Sequence, residues 1–365
     1  MKIKIKKEFK TEILVVGTGI AGLIATERAL KKRKRVCLVT NKKLCGGASY
    51  FPLKGTLGIQ VTKDKDDCER YYEDIVKMGN GMENPELIKT YISNIKNSLY
   101  LLNKIGFEPW LRKDSRPACF AKYSRDIYLI NNWKKAKERC KRKLKNHRGL
   151  NILENSTLVR IVTKDKRVVG AIFQCKQNFI FVKSKVIILA TGGVASNYKD
   201  SLYPEGINGI GHIAALDAGA IAQNMEFIQF IPAFLKPKYN VLFGEHTLKY
   251  CLGMYDLRNN LLLSGVDDEK NKELWIERSS YAPFSVDFKS HIIDLKIPTE
   301  GVSIKYSKEL YENKEEFYTV YLDWLKNDMG IDLLKDNIII SHFAHSCNGG
   351  LKIDEFARTG VNGLY

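Results

Sequence analysis

The chain has 365 residues, 44% hydrophobic and 27% charged, a globular composition that excludes collagen, low-complexity fibres and wholesale disorder. At roughly 150 residues per domain it predicts about two domains, with no apolar run near the roughly 20 residues of a membrane span and no secretory signal, so the expected compartment is the cytoplasm. The formal net charge of +18 permits an anionic partner, but the excess is mostly Lys spread along the chain, whereas readers of base edges rely on Arg forks; no nucleic-acid partner is expected.

A short basic arm precedes Glu12 to Val16, a buried strand of branched apolar residues. It runs into Gly17-Thr18-Gly19-Ile20-Ala21-Gly22, a helical pattern from Leu23 to Lys32, and a second apolar strand from Val36 to Val39. Strand, glycine turn, helix and strand in under thirty residues make a βαβ unit. Helical periodicity follows from about Asp66 to Ile105, broken at Gly79 and at Asn84-Pro85, and a basic helix is predicted from about Asn131 to Asn146. Short strands are predicted at Thr157–Val162, Arg167–Gln174 and Asn178–Val182, then a buried run Val186–Ala190 and a helix Gly211–Ala218. Residues 230–343 are less regular and end at Ile338-Ile339-Ile340. With no repeat or linker in view, a second domain is expected to be inserted.

In GxGxxG the first glycine permits the turn, the second lets backbone approach a pyrophosphate, and the third lets helix pack on strand. The anion then sits on free N–H groups at the positive end of the helix dipole. Dinucleotide binding is expected here. The acidic residue that should follow the second strand is missing, and Thr40-Asn41-Lys42-Lys43 stand in its place.

The glycine turn, the VIILATGG stretch, the NxEFxQF segment (Asn224 to Phe230) and the final HFAHSCNGGLKIDEFARTGVNGLY together resemble the flavoprotein-subunit family of succinate dehydrogenase, fumarate reductase and L-aspartate oxidase. The resemblance implies an α/β fold, with a Rossmann-type FAD-binding domain over residues 1–229 and 344–365 and an inserted α+β capping domain over 230–343. It implies hydride transfer between FAD and a substrate held where the domains meet. The cofactor-binding positions it assigns are Gly17, Thr18, Gly19, Ile20, Ala21, Gly22, Thr40, Asn41, Lys42, Ser49, Gly55, Thr56, Leu158, Ala190, Thr191 and Gly192. Respiratory members carry a His for covalent attachment where this chain reads Gly47-Ala48-Ser49, so the FAD is expected to be non-covalent.

The catalytic positions depart from the family. Its HPT stretch, whose His and Thr hold a substrate carboxylate, reads Ile231-Pro232-Ala233, and its GDG reads Gly209-Ile210-Gly211. Its proton-donating Arg follows an Ala-Pro pair, which here is Ala282-Pro283 followed by Phe284. His345 matches the substrate-binding His, Glu245 the Glu of a TEALRGEG-like stretch, and Arg125 an Arg of the helical segment. A positioned acid or base is worth about 10²–10⁴ in rate, so these losses argue against an ordinary dicarboxylate and for an apolar, planar or singly charged substrate. The expected function is therefore an FAD-dependent oxidoreductase acting on a small molecule, with an electron-donor or acceptor protein as a possible partner. The alternative is a non-catalytic or truncated flavin-binding electron-transfer subunit, because the chain ends at Tyr365, where the family continues into an Ala-x-Gly-Glu segment and a helix that closes over the flavin.

His345 and His342 also suit structural roles, Glu245-His246 a surface pair, and Tyr123, Tyr128 and Trp133 core packing. The cysteines (37, 45, 68, 119, 140, 175, 251, 347) contain no CxxC and no zinc-like His spacing, so reduced structural thiols and no metal site are expected.

Overall fold

The computed structural model describes residues 4–51, 53, 55–118, 121–145, 147–280 and 287–365. In chain order the first half contains β1 (Ile5–Lys10), β2 (Ile13–Val16), α1 (Ile20–Lys31), β3 (Val36–Val39), β4 (Leu57–Val61), α2 (Lys65–Gly79), α3 (Pro85–Lys104), β5 (Trp110–Leu111), β6 (Asp126–Ile130), α4 (Trp133–Leu144), β7 (Leu150–Leu153), β8 (Ser156–Lys164), β9 (Arg167–Cys175) and β10 (Asn178–Lys183). The second half contains β11 (Ile187–Leu189), α5 (Ile210–Asp217), β12 (Ala222–Gln223), β13 (Ile228–Lys236), β14 (Val241–Leu242), β15 (Cys251–Tyr255), α6 (Asp268–Ser280), α7 (His291–Lys296), β16 (Val302–Tyr306), α8 (Glu316–Trp324), β17 (Ile339–Cys347) and β18 (Gly350–Leu351).

A parallel sheet in the order β11-β2-β3-β7 organises the first part. Leu14, Val15, Leu38 and Val39 are fully buried, as expected where both faces of a parallel sheet are covered. One face packs Val15 and Leu38 against Leu23 and Leu30 of α1 and Ala136 and Cys140 of α4. The other packs Leu14 and Val39 against Phe173 and Val182 of the β-ribbon and Ala214 and Ala215 of α5. The ribbon has the order β1-β10-β9-β8. Its outer strand β1, which reads as a mere basic arm in the sequence, pairs in parallel with β10. Burial periodicity could not reveal it, because nearly every residue of β1 is exposed.

The helical hairpin α2/α3 shows its stop and start signals directly. The Asp64 carboxylate accepts from the Asp67 N–H at the start of α2, Asn80 ends it in a left-handed conformation, and Asn84 caps α3 with Pro85 in its first turn. Ile88, Ile92 and Ile95 turn inward onto Val61 and Tyr71.

The second part is built on an antiparallel sheet in the order β14-β13-β17-β16-β15. Phe234, Phe243, Val302, Leu310 and Leu325 form its own core. Strand β17 pairs with β13 from Cys347↔Ile228 to Ile339↔Lys236, and Ala344 also bridges to Ser201 outside this sheet. Helices α6, α7 and α8 give this region more regular structure than its sequence pattern suggests. Among the described residues no helix is long and apolar enough to cross a membrane.

Candidate functional site

Among the described residues, two cavities lie near the sequence-predicted positions. The first, of about 280 Å³, sits at the carboxyl ends of β2 and β3, where ligands bind in open α/β sheets. Its floor is the glycine turn. Gly17 has φ +114°, and a Cβ there would lie 2.0 Å from the Ala190 carbonyl oxygen. A Cβ on Gly22 would lie 2.0 Å from the Gly17 carbonyl oxygen, so this glycine brings helix onto strand. A Cβ on Gly19 would meet the Ser49 hydroxyl at 3.2 Å and project into the space where a ligand would approach.

Helix α1 starts at this turn with no acidic residue in its first turn and no side-chain cap from Gly19. Instead the Ile20 N–H donates to Ser49 Oγ at 3.1 Å. Thr18 and Thr40 join hydroxyls at 3.3 Å, Asn41 Nδ2 donates to the Gly206 carbonyl at 2.8 Å, and Lys42 pairs with Glu205 at 3.5 Å. Leu158, Ala190, Thr191 and Gly192 complete the wall. A bare backbone at a helix N-terminus, ringed by hydroxyl, amide and ammonium groups, suits a dinucleotide pyrophosphate and ribose.

The second cavity, of about 410 Å³, is walled by the β4/β6 sheet, the loop between β5 and β6, helix α8, and residues from β13 and β17. His345 and Glu245 both line it, as do Thr56 and Ile231. His345 Nδ1 lies 2.6 Å from Gln229 Oε1, a contact across the β13/β17 pair. Glu245 is buried and ion-paired with Arg278 of α6. Arg278 also holds Asp294 at 2.6 Å, and Asp294 meets His342 Nε2 at 3.1 Å. Burial pushes the Glu245 carboxyl up while the Arg278 charge pulls it back. Burial also opposes ionisation of Asp294, but His342 and Arg278 outweigh it and hold that carboxyl low. The neighbouring His246 is pushed down to about 3 by burial and by the charge of Arg116, so its ring is neutral.

Two assigned residues lie apart from these groups. Arg125 is buried in the helical hairpin, pairing with Asp67 at 3.1 Å and Asp74 at 3.0 Å and stacking over Tyr71. The structure does not bring it to His345 and Glu245. Gly55 accepts a hydrogen bond from Trp133 and packs beneath Trp324 instead of lining the first cavity. Ala282, Pro283, Phe284 and Cys119 lie outside the described residues.

The surface placement expected of Glu245-His246 is overturned, since both side chains are buried against the second cavity. No sequence signal singles out Arg112 and Arg116 in that cavity, and Tyr203, Glu205 and Gly206 in the first were likewise not expected. The arginines flank Lys113-Asp114-Ser115, a polar stretch with no periodicity to mark it. Tyr203-Pro204-Glu205-Gly206 did carry a turn signal in its Pro and Gly.

A family model described as an FAD binding domain matches residues 12–246. The chain belongs to the FAD binding domain family. Its cofactor is FAD. It is 27% identical to an uncharacterized FAD-dependent oxidoreductase of Methanocaldococcus jannaschii, a match covering 98% of this chain and 66% of that protein. It is 24% identical to the L-aspartate oxidase of Clostridium perfringens over 97% of this chain and 78% of that protein. In fold it is similar to a quinol-fumarate reductase structure with menaquinol molecules (TM-score 0.74, 17% identity, 98% of this chain and 65% of that one). It is likewise similar to the Mycobacterium smegmatis Sdh1 complex in the apo form (TM-score 0.71, 19% identity, 98% and 62%). The chain thus spans about two thirds of the length of several proteins it matches.

Proposed function

We propose that this chain is an FAD-dependent oxidoreductase that passes a hydride between a small substrate in the second cavity and non-covalent FAD held at the first. The observation that carries the reading is the glycine cradle at α1, where added Cβ atoms at Gly17 and Gly22 would strike backbone oxygens at 2.0 Å. Bound FAD supplies two-electron hydride chemistry, while the protein supplies orientation and electrostatics. Residues 17–22, Thr40, Asn41, Lys42, Ser49, Leu158 and 190–192 would hold it, with Gly55 and Thr56 on the way to the substrate cavity. His345, braced by Gln229, would orient or polarise the substrate, and Glu245, fixed by Arg278, would stand beside it.

This reading takes residues 1–229 with 344–365 as the FAD-binding domain and 230–343 as the cap. The separate core around Phe234, Val302 and Leu310 supports that division. Ile231 in the wall of the second cavity argues against an ordinary dicarboxylate, because apolar surface leaves a second carboxylate uncompensated. It also favours a second reading, an electron-transfer subunit that exchanges electrons with a donor or acceptor protein.

The test is the visible absorption spectrum of the purified chain before and after acid precipitation. Flavin bands that move to the supernatant are the expected result. A protein that stays colourless after incubation with FAD would overturn the proposal. Reoxidation of the reduced flavin by small-molecule acceptors favours the enzyme, and reoxidation only by a protein or artificial acceptor favours the electron-transfer subunit.

A further inference from the structure

The cap presents an aromatic wall to the second cavity. Phe317, Tyr321 and Trp324 lie at spacings of four and three along α8, so they share one helix face, and all three line the cavity. Tyr321 is fixed there by the Gly244 N–H at 2.6 Å and by its own bond to the Leu242 carbonyl at 3.2 Å. Leu57, Ile127 and Leu129 add aliphatic surface from β4 and β6. An aromatic and aliphatic lining of this kind favours a flat apolar body over a compact polar one.

Charge in this cavity is unevenly distributed. Arg112 is paired with Asp114 at 3.0 Å, and Glu245 is already paired with Arg278. Arg116 is different. Among the described residues no carboxylate lies within ion-pairing distance of its guanidinium, which donates to the Ser279 carbonyl at 3.4 Å and rests over the Phe317 ring at 4.9 Å. His246 touches the same ring, with centroids 4.4 Å apart, and is neutral, so it contributes no second cation.

We infer that the second cavity takes a planar, singly anionic substrate, its carboxylate docked on Arg116 and its apolar body against the aromatic face of α8. The inference rests on the substrate-cavity reading above and names the substrate class for it. Arg116 is then the specificity-determining residue. Its planar fork meets a carboxylate with two parallel hydrogen bonds, while its stacking on Phe317 fixes where that fork points. A dianion would bring one negative charge that, among the described residues, no further unpaired guanidinium of the cavity meets.

Isothermal titration of trans-cinnamate, cinnamamide and fumarate into the full chain tests the assignment without requiring turnover. Cinnamate should bind more tightly than both the neutral amide and the dianion. Arg116→Gln should weaken cinnamate by about tenfold to a hundredfold, the usual cost of losing a charge-assisted bond to a carboxylate. It should leave cinnamamide unchanged, and Arg116→Lys should recover part of the loss. Fumarate binding as tightly as cinnamate, equal cinnamate affinity in Arg116→Gln, or no heat from cinnamate would each overturn the inference. If Arg116→Gln fails to fold, the wild-type preference for cinnamate over cinnamamide still decides the outcome. A colourless protein that binds cinnamate would sink the flavoenzyme reading alone, and a yellow one that ignores it would sink this inference alone.

Discussion

Ser49 Oγ accepts a hydrogen bond from the Ile20 N–H at 3.1 Å, so a hydroxyl 29 residues along the chain satisfies a helix donor that Gly19 has no side chain to reach. The bond ties the loop carrying Gly47 to the turn carrying Gly19, and both glycines line the same cavity. Ser49→Ala should lower stability by about 1 kcal/mol, as for a lost helix cap. It should lower flavin retention more noticeably. Thermal melts and the flavin-to-protein absorbance ratio read the two effects separately, and an unchanged ratio would remove Ser49 from the cofactor site.

The three glycines of the turn should respond differently to alanine. Gly17→Ala and Gly22→Ala drive a methyl into backbone, so both should lose flavin and melt at lower temperature. In Gly19→Ala the methyl meets only the Ser49 hydroxyl, at 3.2 Å. That variant should fold near normally and lose flavin affinity alone. Equal melting temperatures for all three variants would contradict the assignment of roles.

Arg125 offers a prediction of opposite kind. Its replacement by Met leaves the buried Asp67 and the half-buried Asp74 without their cation, and breaking a buried ion pair on one side costs about 3–5 kcal/mol. Urea unfolding should show that loss, while flavin content in the fraction that folds stays at the parent level. A variant of full stability but reduced turnover would instead make Arg125 a participant in the chemistry.

Acid should loosen the loop before the nucleotide cavity through Glu154. Its carboxylate accepts from the Leu44 N–H at 2.7 Å and pairs with Lys43 at 3.0 Å. The first of these bonds, more than the second, holds it below the ordinary 4.5. A carboxyl lowered by folding contributes fully above its unfolded value, and the contribution is lost as pH falls through the folded one. Stability measured from pH 7 downward should therefore begin to fall near pH 4.5, and Glu154→Gln should flatten that limb of the curve.

Local features were the most legible in the sequence. The glycine turn, the helix break at Asn84-Pro85 and the branched runs of β2 and β3 depend on neighbours within a few residues, and the structure places them where periodicity expects. Paired charges were not legible. Arg125 reads as a catalytic candidate until Asp67 and Asp74 fold back onto it from 58 and 51 residues away. Arg278 carries no motif of its own: the Ala282-Pro283 pair points to Phe284, whereas the guanidinium beside Glu245 comes from the last turn of α6. Arg116 meets its aromatic neighbour only when α8, about two hundred residues later, supplies the Phe317 ring beneath it.

The outer strand β1 gives the abundant lysines a practical meaning. It forms the open edge of the ribbon, and Lys6, Lys7 and Lys10 stand exposed along it, which is how natural sheets discourage edge-to-edge pairing between molecules. Charge repulsion of this kind reaches about 10 Å at 0.1 M salt and only about 3 Å at 1 M. Concentrated stocks of this protein should therefore stay clear in dilute buffer and turn cloudy as salt is raised, with aggregation beginning at the β1 edge.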